Sequence, residues 1–74
     1  MDFEWDERKR LRNIRDHRID FIDAVQLFDG RPVFTHHTPR DGEDRWGTVG
    51  LINGKFFLVV WTWRGERMRI ISAH

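Results

Sequence analysis

Arg64, Arg67 and Arg69 place three guanidinium groups within six residues, close to a run of apolar side chains. A guanidinium is planar, stays charged, and donates two parallel hydrogen bonds to a phosphate, so arginine at this density points to phosphate chemistry. Side chains two apart in a strand share a face, which makes Arg67 and Arg69 point together; Arg64 sits nearer a turn, and Arg45 joins them if its strand pairs alongside. Cations so placed would stabilise charge building on phosphorus-bound oxygens. His17 adds a group that titrates near neutral pH and suits general acid or base work, although its place at the end of a helical stretch equally suits a C-terminal cap.

Other residues carry weaker signals. His36 and His37 are adjacent, so in a strand they point to opposite faces and cannot chelate one ion together; they read as surface residues at a loop edge. There is no cysteine, which removes disulfides, thiolate zinc sites and thiol catalysis. No His/Asp/Glu spacing offers a ligand set for a catalytic ion, so no metal and no cofactor is expected. Glu43, Asp44 and Glu66 are the carboxylates nearest the arginines, as guanidinium partners or as a general base. Of the four tryptophans, Trp61 belongs to the core, while Trp5, Trp46 and Trp63 could stack on unpaired bases, with core packing the competing use.

The elements that must position these groups read as α-α-β-β-β-β. Asp6 is a suitable N-cap for a run without Gly or Pro, on which Leu11, Ile14 and Arg18 form a thin stripe. A second short helix after Asp20 carries Phe21, Ala24, Val25 and Phe28 at helical spacing, and Gly30 is placed to stop it. Val33–Thr38 reads as a strand bounded by Pro39 and Asp41-Gly42, and Arg45–Ile52 as a second that Gly47 and Gly50 weaken or kink. Asn53-Gly54 is a type I′ hairpin signal leading to Lys55–Trp63, whose unbroken apolar run predicts a central strand buried on both faces. After Arg64-Gly65, Glu66–Ser72 alternates Arg67, Arg69 and Ile71 on one face with Met68, Ile70 and Ser72 on the other. The predicted fold is α+β, two N-terminal helices on a mainly antiparallel four-stranded sheet.

Seventy-four residues make one domain over 1–74, and so short a chain buries only about 60% of its unfolded surface. Net charge is +1, but the signs segregate. Glu7–Arg18 is basic, Ile19–Asp44 acidic, and the remainder has only Glu66 against Arg45, Lys55, Arg64, Arg67 and Arg69. Two basic surfaces able to attract a polyanion follow, beside the simpler reading of solvated charge. Neither a secretory signal nor an apolar stretch of about 18 residues is present, so no membrane association and a cytoplasmic location are expected.

The ordered set Phe3-Glu4-Trp5-Asp6, Asn13 and His17, Phe21 with Ala24 and Phe28-Asp29, Arg45 and Gly50, Thr62-x-Arg64, and Arg69-Ile70-Ile71-Ser72-Ala73 resembles the BrnT family, ribonuclease toxins of a bacterial type II toxin-antitoxin system. The resemblance spans nearly the whole chain. It implies a RelE-like scaffold, cleavage of cellular RNA that arrests growth, and neutralisation by the BrnA antitoxin, a ribbon-helix-helix protein. It also implies that promoter DNA is reached only through the toxin-antitoxin complex. His17, Arg45, Arg64, Arg67 and Arg69 are then the candidate catalytic residues, and Trp5, Trp46, Trp63 and Ser72 the candidate RNA contacts. The family continues past Ile-Ile-Ser-Ala with an arginine and a basic C-terminal helix, absent here, where His74 stands; a terminal residue is expected to fray. In place of that helix, a second copy of the chain or the antitoxin is expected to cover the sheet's second face.

Two other classes compete with the enzyme: a non-catalytic module whose aromatic, basic sheet holds an antitoxin or peptide, and a small nucleic-acid-binding repressor component, for which no helix-turn-helix or ribbon-helix-helix pattern is visible. RNA cleavage by the purified protein is expected to persist in chelator. Activity abolished by chelator and restored by a divalent metal would count against a mechanism built on protein side chains alone.

Overall fold

The structure is a computed structural model that describes residues 1–74. Strand β1 (Asp2–Glu4) is followed by helix α1 (Glu7–His17), helix α2 (Phe21–Ala24) with a 3-10 turn (Val25–Phe28), and strands β2 (Phe34–His37), β3 (Trp46–Ile52), β4 (Lys55–Arg64) and β5 (Arg67–Ala73). The α+β class agrees with the sequence reading. The sheet has five strands rather than four, in the order β1-β5-β4-β3-β2, and it is mixed, because β1 runs parallel to β5. A three-residue strand has no alternation to detect, and its partner lies more than sixty residues away; only tertiary pairing creates it.

Local signals placed most other elements. Asp6 caps α1, its side chain accepting from the backbone N–H of Arg8 and Lys9, and Asp20 caps α2 through Ile22 N. Gly30 has a φ of 100°, and Asn53 and Gly54 have φ of 51° and 77°, the doubly left-handed pair a type I′ turn requires. Gly47 and Gly50 do not kink β3, which runs unbroken. They make room for neighbours: a Cβ on Gly50 would lie 2.9 Å from both Leu27 and Val33 side chains.

The two helices divide their work unequally. Phe21, Ala24 and Leu27 are buried against Ile52, Val59, Ile70 and Ala73, so α2 and the 3-10 turn supply the apolar cover. Helix α1 does not bury the expected Leu11, which is 55% exposed; the residue it buries is Asn13. Asn13 Nδ2 donates to Ile19 O at 3.0 Å and its Oδ1 accepts from Ala73 N at 3.1 Å. One amide therefore joins α1, the link to α2 and the β5 edge. Arg10 reinforces the same corner through Asp20 at 2.9 Å.

Strand β4 is central, as expected, but only one of its faces enters the apolar core; on the other, Leu58 and Val60 are partly covered and only Thr62 is buried. Val59 and Trp61 are enclosed, while Phe56 on the other face is 70% exposed. Within the core, Trp61 Nε1 donates to Thr48 Oγ1 at 2.9 Å, and Thr48 pairs with Thr35 at 2.9 Å. A register shift between Val60 and Trp61 pairs Val60 with Ser72 and Trp61 with Ile70, which leaves Ile71 as an extra residue. This bulge overturns the simple alternation at the strand end: Ser72 turns to the face of Val60, and Ala73 enters the core. Nor does His74 fray; its N–H and C=O exchange hydrogen bonds with Leu58 at 3.0 and 2.8 Å.

Replacing Asn13 by Ala strands a buried carbonyl and a buried N–H together, and is expected to cost about 2 kcal/mol and lower the thermal midpoint by about 10 °C. Thermal unfolding of Asn13→Ala beside Leu11→Ala checks this; equal losses would mean that the amide is no special tie.

Candidate active site

The sheet face away from the helices carries the arginines. Strand alternation puts Thr62 and Arg64 of β4, Arg67 and Arg69 of β5, and Glu4 of β1 on this face, with Arg69 opposite both Thr62 and Glu4 and Arg67 opposite Arg64. The β2–β3 connection folds over it. Thr62 Oγ1 donates to Asp44 O at 2.6 Å, and Arg40 and Glu43 exchange backbone hydrogen bonds around Asp41-Gly42, which brings Glu43 and Arg45 to the arginines.

Glu43 is the hub. Its Oε1 accepts from Arg45 Nε at 2.9 Å and its Oε2 lies 3.1 Å from Arg64 Nη2. The Arg45 hydrogen bond, with the fields of Arg64, Arg45 and Arg69, holds the Glu43 carboxyl below the usual carboxylate range against a smaller opposing effect of desolvation. Arg69 Nη1 donates to Glu4 Oε2 at 2.6 Å. Arg67 forms no ion pair. The cluster is thus a set of positioned guanidinium forks, partly neutralised by two internal carboxylates, on an open surface.

His17 occupies an adjoining recess of ≈ 190 Å³ with Lys9, Arg12, Asn13, Asp16, Ile71 and Ser72. Its ring centroid lies 5.3 Å from that of His74. A second groove of ≈ 290 Å³, lined by Arg40, Arg45, Val60, Ile71, Ser72 and His74 among others, shares Ile71 and Ser72 with the first. The bulge is what lets Ser72 serve both. The His17 imidazole and the cations of α1 therefore meet the arginine face across the last residues of β5.

Five of the residues singled out from sequence come together in this way: Arg45 and Arg64 on Glu43, Arg69 on Glu4 beside them, and His17 and Ser72 in the adjoining recess. Arg67 extends the row. The tryptophans lie elsewhere, on the helix side of the sheet. Trp46 stacks on Trp61 at 5.0 Å, Trp63 meets Trp61 edge-on at 5.4 Å, and Trp5 meets Phe21 at 6.1 Å. Trp63 keeps an exposed edge, at 45%, while Trp5 and Trp46 pack against the core. Glu4 was not visible as a site residue, since its contact with Arg69 depends on the parallel β1–β5 pairing. His36 and His37 stand on opposite faces, His37 bonded to Asp44 at 2.8 Å. No group of three His, Asp or Glu side chains is arranged to hold a metal ion.

Fold and site together define a small α+β domain with a concentrated guanidinium face beside a histidine recess. The chain belongs to the family of BrnT ribonuclease toxins of type II toxin-antitoxin systems, whose family model matches residues 5–74. No curated protein matches it. Membership makes it a ribonuclease toxin and implies RNA as substrate and an antitoxin as partner. No helix is long and apolar enough to cross a membrane.

The lowered Glu43 titration has a definite sign. A depressed folded-state pKa means that the ionised carboxylate favours the folded chain above the usual carboxylate range, and that this contribution disappears as pH falls through the folded value. Urea unfolding of wild type and Glu43→Gln should therefore differ in favour of wild type at neutral pH and converge as pH falls through the acid range. A gap constant with pH would show that the carboxylate charge is not what stabilises this corner.

Proposed function

We propose that this toxin is a metal-independent endoribonuclease whose open sheet face binds the scissile phosphate of cellular RNA. The observation that carries the reading is the convergence of Arg45 and Arg64 on Glu43, with Arg69 held by Glu4 on the same face, beside the recess that holds His17 and Ser72. An incoming phosphate competes with Glu43 and Glu4 for guanidinium groups already held in place, so little ordering is left for the binding step.

In this mechanism the 2′-oxygen attacks phosphorus and the 5′-oxygen departs, leaving a 2′,3′-cyclic phosphate. Arg45, Arg64 and Arg69 hold the non-bridging oxygens as negative charge builds, and Arg67 draws in the neighbouring phosphate. His17 either takes the proton of the 2′-hydroxyl as general base or gives one to the departing 5′-oxygen as general acid, solvent water serving the other transfer, and Ser72 contacts the RNA backbone where the two recesses meet. Trp63, at the rim, keeps an indole edge available to a base; Trp5 and Trp46 support the sheet from behind. A scaffold of RelE type, action in the cytoplasm to inhibit growth, and a BrnA-like ribbon-helix-helix antitoxin complete the proposal. Promoter DNA is met only through that antitoxin complex.

The test is Arg69. Arg69→Ala should lower kcat/KM for RNA cleavage about 100-fold, as loss of one preorganised donor to a developing oxyanion does, and Arg69→Lys should recover little because a point charge cannot reproduce the fork. Glu4→Gln controls for loss of the ion pair itself. An Arg69→Lys protein with unchanged turnover would remove guanidinium geometry from the mechanism.

A further inference from the structure

The arginine face continues into an aromatic one. On the same side of the sheet as Arg45 and Arg69, Phe34 and His36 of β2 project side by side, their rings near-parallel at 27° with centroids 6.0 Å apart. Phe34 is 69% exposed. The imidazole does not stand free: it leans across the sheet onto Gly47, where a Cβ would come within 2.8 Å of His36 Cε1 and 2.9 Å of its Nε2. The glycine is thus the seat of the ring, and any side chain there would displace it. In register, His36 faces Gly47, Gly47 faces Val60, and Val60 faces Ser72, so one transverse row leads from the stacked pair to the residue shared by the two recesses.

We propose that Phe34 and His36 form a stacking subsite for an unpaired nucleobase of the RNA, adjoining the phosphate-binding arginines; this rests on the reading that RNA lies on this face. Unpaired bases are held on open sheets by exposed aromatic rings, every base having a π-face to offer, while cations nearby hold the phosphates. Both halves are present on one surface. The sharing of a face with the guanidinium cluster favours RNA over a protein segment, for which the aliphatic surroundings, Val33, Val49 and Leu51, would suffice without a seated imidazole. Trp5, Trp46 and Trp61, packed on the opposite side, cannot supply this contact, and Trp63 leaves only an edge exposed.

The experiment measures affinity of the full chain for a short 2′-O-methyl oligoribonucleotide, which resists cleavage, and for an abasic oligomer of equal length and charge. Wild type should prefer the base-bearing probe by about tenfold or more. Phe34→Leu and His36→Ala should each erode that preference, Phe34→Trp should preserve it, and Gly47→Ala, which keeps both aromatics but unseats one, should weaken it. Arg69→Ala should weaken both probes alike and leave the preference intact. Base preference unchanged in the Phe34→Leu, His36→Ala double variant, with folding verified by its thermal midpoint, overturns the subsite and leaves the phosphate reading standing. Failure of wild type to bind either probe overturns both. Loss of antitoxin binding in the double variant with unaltered RNA preference would assign the patch to the protein partner, and the stacking proposal would fall.

Discussion

A single buried amide holds the working parts of this toxin in relation to one another. Asn13 is the only residue that α1 buries, and it spends both ends of its side chain on backbone groups from elsewhere, the carbonyl of Ile19 and the N–H of Ala73. Helix α1 is otherwise highly charged and has little apolar surface with which to dock. Its position beside β5 depends on hydrogen bonds made away from water, which are costly to lose because each partner would be left unsatisfied. His17 lies one helical turn beyond Asn13, and Ser72 immediately before Ala73. The contact that docks the helix therefore also sets the distance between the imidazole and the strand that carries the arginines.

The bulge at Ile71 acts at the same point. Were alternation unbroken through Ile71, Ser72 would face the helices and Ala73 the open side. With it, a small residue, Ala73, fits under α2, and the hydroxyl of Ser72 joins the outer face. Bulges are a common means of re-aiming one side chain without disturbing the rest of a ladder. Here the strand keeps its arginines on one face up to Arg69 and then, with Ile71 as the extra residue, sets Ser72 opposite Val60 on that same face, one position later than alternation would.

The arginine cluster is held in readiness by its own counter-ions. Three guanidinium groups close together repel one another, and Glu43 and Glu4 relieve that repulsion while fixing where the forks point. The arrangement is half-exposed, so each pair is screened and contributes little to stability. Its value lies in geometry. A phosphate meets donors already oriented, and it displaces carboxylates that are tethered to the β2–β3 loop and to β1, two segments with few other duties.

Much of this was legible in the chain itself, because it depends on neighbours in sequence. The helix cap at Asp6, the second helix after Asp20, the Asn53-Gly54 hairpin, the central place of Lys55–Trp63 and the common face of Arg67 and Arg69 all follow from backbone preferences and side-chain periodicity over a few residues. The family resemblance also rested on ordered local motifs. What the tertiary structure alone decided is non-local: the fifth strand, made by pairing Asp2–Glu4 with Arg67–Arg69; the bulge that turns Ser72; the choice of Asn13 over Leu11 as the buried face of α1; and the separation of the tryptophans from the arginines by the thickness of the sheet. Each of these depends on which distant backbone group or side chain arrives opposite a given residue, and local preference is degenerate on that point. Trp46 and Trp63 fit a base-stacking role or a core role equally well as sequence, and only packing against Trp61 places them behind the sheet.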